Sequence, residues 1–201
     1  MAGTSAPHTP PGTGKVGMLF FLAGLAMLFA AGMLAYALIR AGGEDAPPPG
    51  SIHIPPLLWV STVIILISSV TIQHAVVCVQ WEQQRHFRIS MLATLGLAFL
   101  FIAVQLPSLI ELIDRHREMV HGSAAAVAAT GRSMYGLIFV LLVLHGLHVL
   151  GGLVPLSAVT LKALLGRYDH EQHRAVSHIA MYWHFLGGVW LVMFVLLLVL
   201  S

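Results

Sequence analysis

The sequence predicts an all-α integral membrane protein, a bundle of five transmembrane helices. Three observations predict it. Hydrophobic residues make up 58% of the chain and charged residues only 9%, which is far from the composition of a soluble globular domain. The apolar residues fall into five runs, each long enough, at ~1.5 Å rise per residue, to cross a hydrocarbon core of ~30 Å. The 10 basic and 8 acidic residues collect between those runs, so the formal net charge of +2 reports on loops and orientation and gives no sign of a nucleic-acid partner. A chain of 201 residues holds one such membrane unit and little else.

The first fifteen residues, MAGTSAPHTPPGTGK, are rich in Pro, Gly and Thr and read as a disordered tail (1–15) before a five-helix domain (16–201). They lack the charged start and small-residue cleavage site of a secretory signal, so the first span is expected to be retained. That span covers 16–39 and contains no charge. AGGEDAPPPGS breaks it with two acids and three prolines, and the second span follows at 57–79. WEQQRHFR closes the second span, and the third covers 89–110. Next comes ELIDRHREMVHGSAAAVAATGR, expected to be a loop that is charged first and small-residued after. The fourth run, 133–165, is longer than a perpendicular crossing needs and is expected to project or bend near Pro155. The fifth is 178–200. An odd number of spans puts the termini on opposite sides. Lys15, Arg85, Arg88, Lys162, Arg167 and Arg174 lie on one side, against Arg40, Arg115, Arg117 and Arg132 on the other, which favours an inside N-terminus and an outside C-terminus.

Spans one, two, four and five contain no Asp, Glu, Lys or Arg well within the hydrocarbon, and Glu111 stands at the end of span three. Ion pathways keep ionisable groups at depth despite their cost, so a self-contained transporter is not expected. The polar groups at depth are Gln73, His74, Gln105, His145, His148 and His184, with Ser and Thr hydroxyls, Tyr36, Trp183 and Trp190. His145 and His148 share a helical face with Gly152 a turn further on, a pattern suited to close helix contact and interhelical hydrogen bonds. The sharper alternative is a haem or metal held by that pair and His184, since neutral imidazoles are good ligands. Trp59, Trp81 and Trp183 read as interfacial anchors. Gly17, Gly24 and Ala31 read as a small-residue packing stripe on span one. Cys78, the single cysteine, excludes an internal disulfide and a Cys-rich metal site.

Taken in order, GMLFFLAGLAMLFAAGMLAYALIR, then SSVT, Gln105, MYGLIFVLLVLHGLHVLGGL and YWHFLGGVW closely resemble subunit III of the haem-copper terminal oxidases (cytochrome c and quinol oxidases), in its short five-helix bacterial form. The resemblance runs over nearly the whole chain, and HGLHV–GGL with YWHF one span later is its most specific part. It implies a multi-pass subunit of the bacterial inner membrane with a cytoplasmic N-terminus. That subunit is non-catalytic, binds no metal and carries no haem or copper of its own, those belonging to partner subunits. It would flank catalytic subunit I and other oxidase subunits, hold phospholipid in a V-shaped cleft between helices 1–2 and helices 3–5, and support proton uptake and durable turnover. In this setting His145, His148, Gly152, His184, Trp183, Trp190 and Gln105 become helix-packing residues, with Glu111 a possible functional carboxylate.

The chain also departs from the family pattern. Gly24 and Leu25 stand where the family usually has Ser-Glu, and YWHFLGGVW places Gly187 at the aspartate of YWHFVDVVW. Ser108 replaces a third acid. These losses favour a scaffold role, and they keep open a subunit III-like partner of a nitric oxide reductase or another respiratory assembly. A free-standing His-ligated membrane cytochrome is the remaining alternative, and a visible spectrum separates it from both.

Overall fold

A computed structural model of the protein describes residues 13–42, 57–121, 129–165 and 173–200. The described residues form five helices, α1 Thr13–Gly42, α2 Leu57–Gln80, α3 Gln84–His121, α4 Ala129–Leu164 and α5 His173–Leu200. Each is long and apolar enough to cross a membrane. Helix is the form a chain must take here, because hydrocarbon offers no partner for an unpaired backbone group.

The helices outrun the apolar runs. α1 begins at Thr13, so the last three residues assigned to the tail are helical, while residues 1–12 lie outside the described residues. The largest difference is at α3. The stretch ELIDRHREMVH, expected to be loop, continues the helix to His121. It contains neither Gly nor Pro, and its residues are mostly good helix formers, so the backbone runs on where the apolar pattern stops. α4 and α5 likewise begin a turn or more before their apolar runs.

α2 and α3 are joined by a tight turn. Gln83 N–H donates to Cys78 O at 2.9 Å and Glu82 N–H to Val79 O at 3.4 Å, with Glu82 in the left-handed region at φ 56°. This is the Schellman pattern that satisfies a helix's last carbonyls. It forces α2 and α3 to run antiparallel in contact.

α2, α3, α4 and α5 form a closed ring in that order, each packed on the next, and α5 packs back on α2. α1 packs outside the ring against α4 and α5, and among the described residues it makes no contact with α2 or α3. The expected division into helices 1–2 and helices 3–5 is therefore corrected, since α2 belongs to the ring and α1 stands apart from it. The physical reason is a set of hydrogen bonds that hold α2 to α5, described next. The expected glycine stripe on α1 is also corrected. A Cβ on Gly17 or Gly24 would meet nothing within 4 Å, whereas one on Gly32 would come to 2.7 Å from Leu141 Cδ2 on α4. The close approach of α1 is at Gly32.

Candidate functional site

The polar chemistry of the bundle is concentrated on α2. Trp183 Nε1–H donates to Ser68 Oγ at 2.9 Å, and Trp190 Nε1–H to Thr62 Oγ1 at 3.0 Å. Thr62 in turn donates its own hydrogen to the Leu58 carbonyl at 2.7 Å, so one hydroxyl links the indole N–H to the backbone of α2. Both tryptophans are buried, Trp183 at 2% and Trp190 at 1% exposure. Trp183 is thus a core residue and not the interfacial anchor its sequence position suggested. Trp59 and Trp81 are exposed.

His184, the residue after Trp183, reaches α2 with both ring nitrogens. Its Nδ1 lies 2.5 Å from Ser69 Oγ, and its Nε2 lies 3.1 Å from Gln73 Oε1. An amide oxygen only accepts, so Nε2 carries the proton and Ser69 O–H donates to Nδ1. The neutral imidazole satisfies the whole arrangement. On its other side α2 meets α3. The Thr71 and Thr94 hydroxyls are 2.9 Å apart, and His74 Nδ1 is 2.7 Å from Ser90 Oγ. The SSVT segment, residues 68–71, therefore spends every hydroxyl on a neighbouring helix.

His145 and His148 do something different. His145 is 1% exposed and neither ring nitrogen has a hydrogen-bond partner. Its ring instead lies among aromatics, with centroids 6.1 Å from Phe29, 6.2 Å from Phe101 and 5.3 Å from Trp190. These four come from α4, α1, α3 and α5. His145 is thus a packing ring at the bundle centre, and the expected interhelical hydrogen bond is absent. The His148 ring donates from Nδ1 to Leu144 O, 2.7 Å away on its own helix. The bond between helices at this point uses its backbone, since Tyr182 O–H donates to the His148 carbonyl at 2.8 Å.

Gly152 makes that bond possible. A Cβ there would lie 2.7 Å from Tyr182 Cε1 and 3.5 Å from Trp183 Cζ3, so α4 and α5 approach over the flat faces of YWHF only because position 152 has no side chain. Gln105, on α3 two residues before Pro107, has both amide atoms buried without a partner. Glu111 is partly buried at the end of its span. Of the candidates, the structure joins His145, His148, Gly152, Trp183, Trp190 and His184 into one continuous core between α4, α5 and α2, with Gln105 and Glu111 apart on α3. The described residues hold no group of three or more His, Cys, Asp or Glu gathered as metal ligands. Sequence reasoning missed Thr62, Ser68, Ser69 and Phe29. A signal was present for two of them: Trp183 and Trp190 are seven residues apart on one span, and their acceptors Ser68 and Thr62 are six apart on an antiparallel one.

Against known families, the model for cytochrome c oxidase subunit III matches residues 5–201. The chain belongs to the cytochrome c oxidase subunit III family. It is 26% identical over 198 residues to cytochrome c oxidase subunit 3 of Thermostichus vulcanus, covering 96% of this chain and 90% of that one. It is 28% identical over 197 residues to a probable cytochrome c oxidase subunit 3 of Mycobacterium tuberculosis (95% and 91% covered). A probable quinol oxidase subunit 3 of Staphylococcus saprophyticus is 25% identical over 181 residues (90% and 85%). Two positions that the family resemblance singled out, Leu25 and Gly187, are packed. Leu25 is a buried core residue at 9% exposure. Gly187 sits against α2, where a Cβ would meet Ile65 Cγ1 at 3.7 Å. Both positions are parts of apolar helix contacts.

Proposed function

We propose that this chain is the non-catalytic subunit III of a respiratory haem-copper oxidase, the complex that reduces oxygen with coupled proton pumping. In that complex it braces catalytic subunit I and offers apolar surface to phospholipid. The observation that carries this reading is the family match along residues 5–201, over a core in which every span is tied to another. Haem and copper belong to partner subunits, and the imidazoles of this chain serve packing. His184 has both nitrogens engaged by α2, and His148 Nδ1 is held by its own helix. The named relatives are subunits of cytochrome c and quinol oxidases, which favours an oxidase over a nitric oxide reductase assembly. The seat is the bacterial inner membrane, with the N-terminus cytoplasmic by the distribution of Lys and Arg.

The test is purification of the tagged full chain from its own membranes in mild detergent, with identification of co-purifying subunits and a spectrum of the complex. Haem-bearing oxidase subunits and oxygen consumption from reduced cytochrome c or quinol are expected. Recovery of the chain alone, or with a nitric oxide-reducing catalytic subunit, overturns the reading.

A further inference from the structure

α1 and α2 both pack on α5 without touching each other, which leaves a groove whose floor is the outward face of α5. Gly188, Val192 and Val195 are exposed there, with His184 at the edge toward α2. Gln73 stands beside His184 on the α2 wall and is exposed. Its Oε1 takes the His184 proton, and its amide nitrogen has no acceptor among the described residues.

The depth of this amide is what matters. Gln73 lies about two turns, ~10 Å, inside the end of α2, and His184 about three turns inside α5. Both are within the hydrocarbon, where an exposed N–H without an acceptor costs several kcal/mol. Acyl chains cannot accept that hydrogen bond. Gly188, one turn along α5 from His184, adds a second constraint: a Cβ there would meet nothing within 4 Å, so the groove floor is bare backbone, the surface that lets another helix approach closely.

We propose that this groove is the seat of one transmembrane helix of a partner oxidase subunit, which packs on Gly188 and presents a hydrogen-bond acceptor to the Gln73 amide. The inference rests on the subunit III reading and adds to it the face through which the complex is joined. The His184–Ser69 bond positions Gln73, since the imidazole engages the amide oxygen and leaves the NH₂ for a partner.

The experiment uses the full tagged chain in its native membranes. Gly188→Leu fills the groove and Gln73→Leu removes the donor. Gly96→Leu is the control, an exposed position on α3 away from the groove, where a Cβ also meets nothing. Gly188→Leu and Gln73→Leu are expected to lower recovery of partner subunits about tenfold, the ratio that ~1.4 kcal/mol produces, while Gly96→Leu matches wild type. All three should keep wild-type helix content and a monodisperse chain. A photo-reactive residue at Val192 is expected to cross-link to an apolar segment of an oxidase subunit. Wild-type recovery with both groove variants overturns the proposal, as does a Val192 adduct found only on phospholipid or on a second copy of this chain. If wild type itself recovers no oxidase subunit, the subunit reading falls as well, so the two failures are told apart by the unmutated chain.

Discussion

Replacing Ser68 by Ala should weaken the bundle out of proportion to the single oxygen removed. Trp183 is 2% exposed and Ser68 1%, and the indole N–H rests on Ser68 Oγ at 2.9 Å. No water reaches this point to replace the lost acceptor. A stranded buried donor costs about 1–3 kcal/mol. In lipid the unfolded helices also find partners, which lowers interhelical hydrogen bonds to roughly 0.6–2 kcal/mol. The expected loss is therefore about 1–2 kcal/mol. The Ser68 carbonyl still accepts from Thr71, so no second bond is removed. Thr160→Val is the reference: Thr160 is equally buried, but its hydroxyl bonds only to Leu156 O of its own helix at 2.7 Å. Its removal should cost below ~0.5 kcal/mol, because such back-bonding stabilises helices little.

The assay is reversible unfolding of the purified chain in mixed micelles by added SDS, followed by far-ultraviolet circular dichroism. A double-mutant cycle with Trp183→Phe isolates the bond, and the coupling should be about 0.6–1.7 kcal/mol. Coupling indistinguishable from zero, or a Ser68→Ala loss no larger than that of Thr160→Val, would refute the argument that α2 is held to α5 by hydrogen bonds from tryptophan.

Three further outcomes follow from the same geometry. Gly152→Ala should destabilise by about 1–3 kcal/mol, because the new methyl overlaps the Tyr182 ring in a packed core, whereas Gly151→Ala, with nothing within 4 Å, should be neutral or mildly stabilising in the same unfolding assay; equal effects would count against a close α4–α5 approach. His145→Phe should leave stability unchanged or raise it, since it replaces an unbonded buried imidazole among aromatics with an apolar ring, and a loss above ~2 kcal/mol would mean that the His145 nitrogens are engaged. A hydrophobic carbodiimide, which needs a protonated carboxyl in an apolar place, should modify no residue of α1 or α5 by peptide mapping, with Glu111 the one candidate for an adduct on a membrane span; labelling inside α1 or α5 would contradict the apolar environment of Leu25 and Gly187.

The number of spans and the family were legible because both rest on features that survive in one dimension. A bilayer demands long apolar runs, and HGLHV–GGL with YWHF keeps its spacing. Element ends were less legible, because hydropathy reports where the bilayer stops and not where the helix does. α3 passes through ELIDRHREMVH as a helix since nothing there interrupts the backbone ladder. The bonding expected of His145 and His148 differs from the observed one, and the reason is chemical. Histidine is the residue one expects to bridge helices, yet an imidazole has one donor and one acceptor and needs both placed, whereas an indole N–H needs a single acceptor.

In this bundle the two tryptophans and Tyr182 take that task, and the hydroxyls of Thr62 and Ser68 and the His148 carbonyl receive them. Of His145, His148 and His184, only His184 hydrogen-bonds to another helix through its ring. His145 fills the centre, where Phe29, Phe101 and Trp190 arrive from three helices and exclude any partner for its nitrogens. Leu25 and Gly187 follow the same physics. A carboxylate at depth must be hydrated, paired or protonated, and at these two positions the chain has apolar packing instead, Leu25 in the core and Gly187 facing Ile65 of α2. Packing of this kind suits the bracing role proposed above, and Gln73 is the exposed hydrogen-bonding group on the groove side through which that bracing would act.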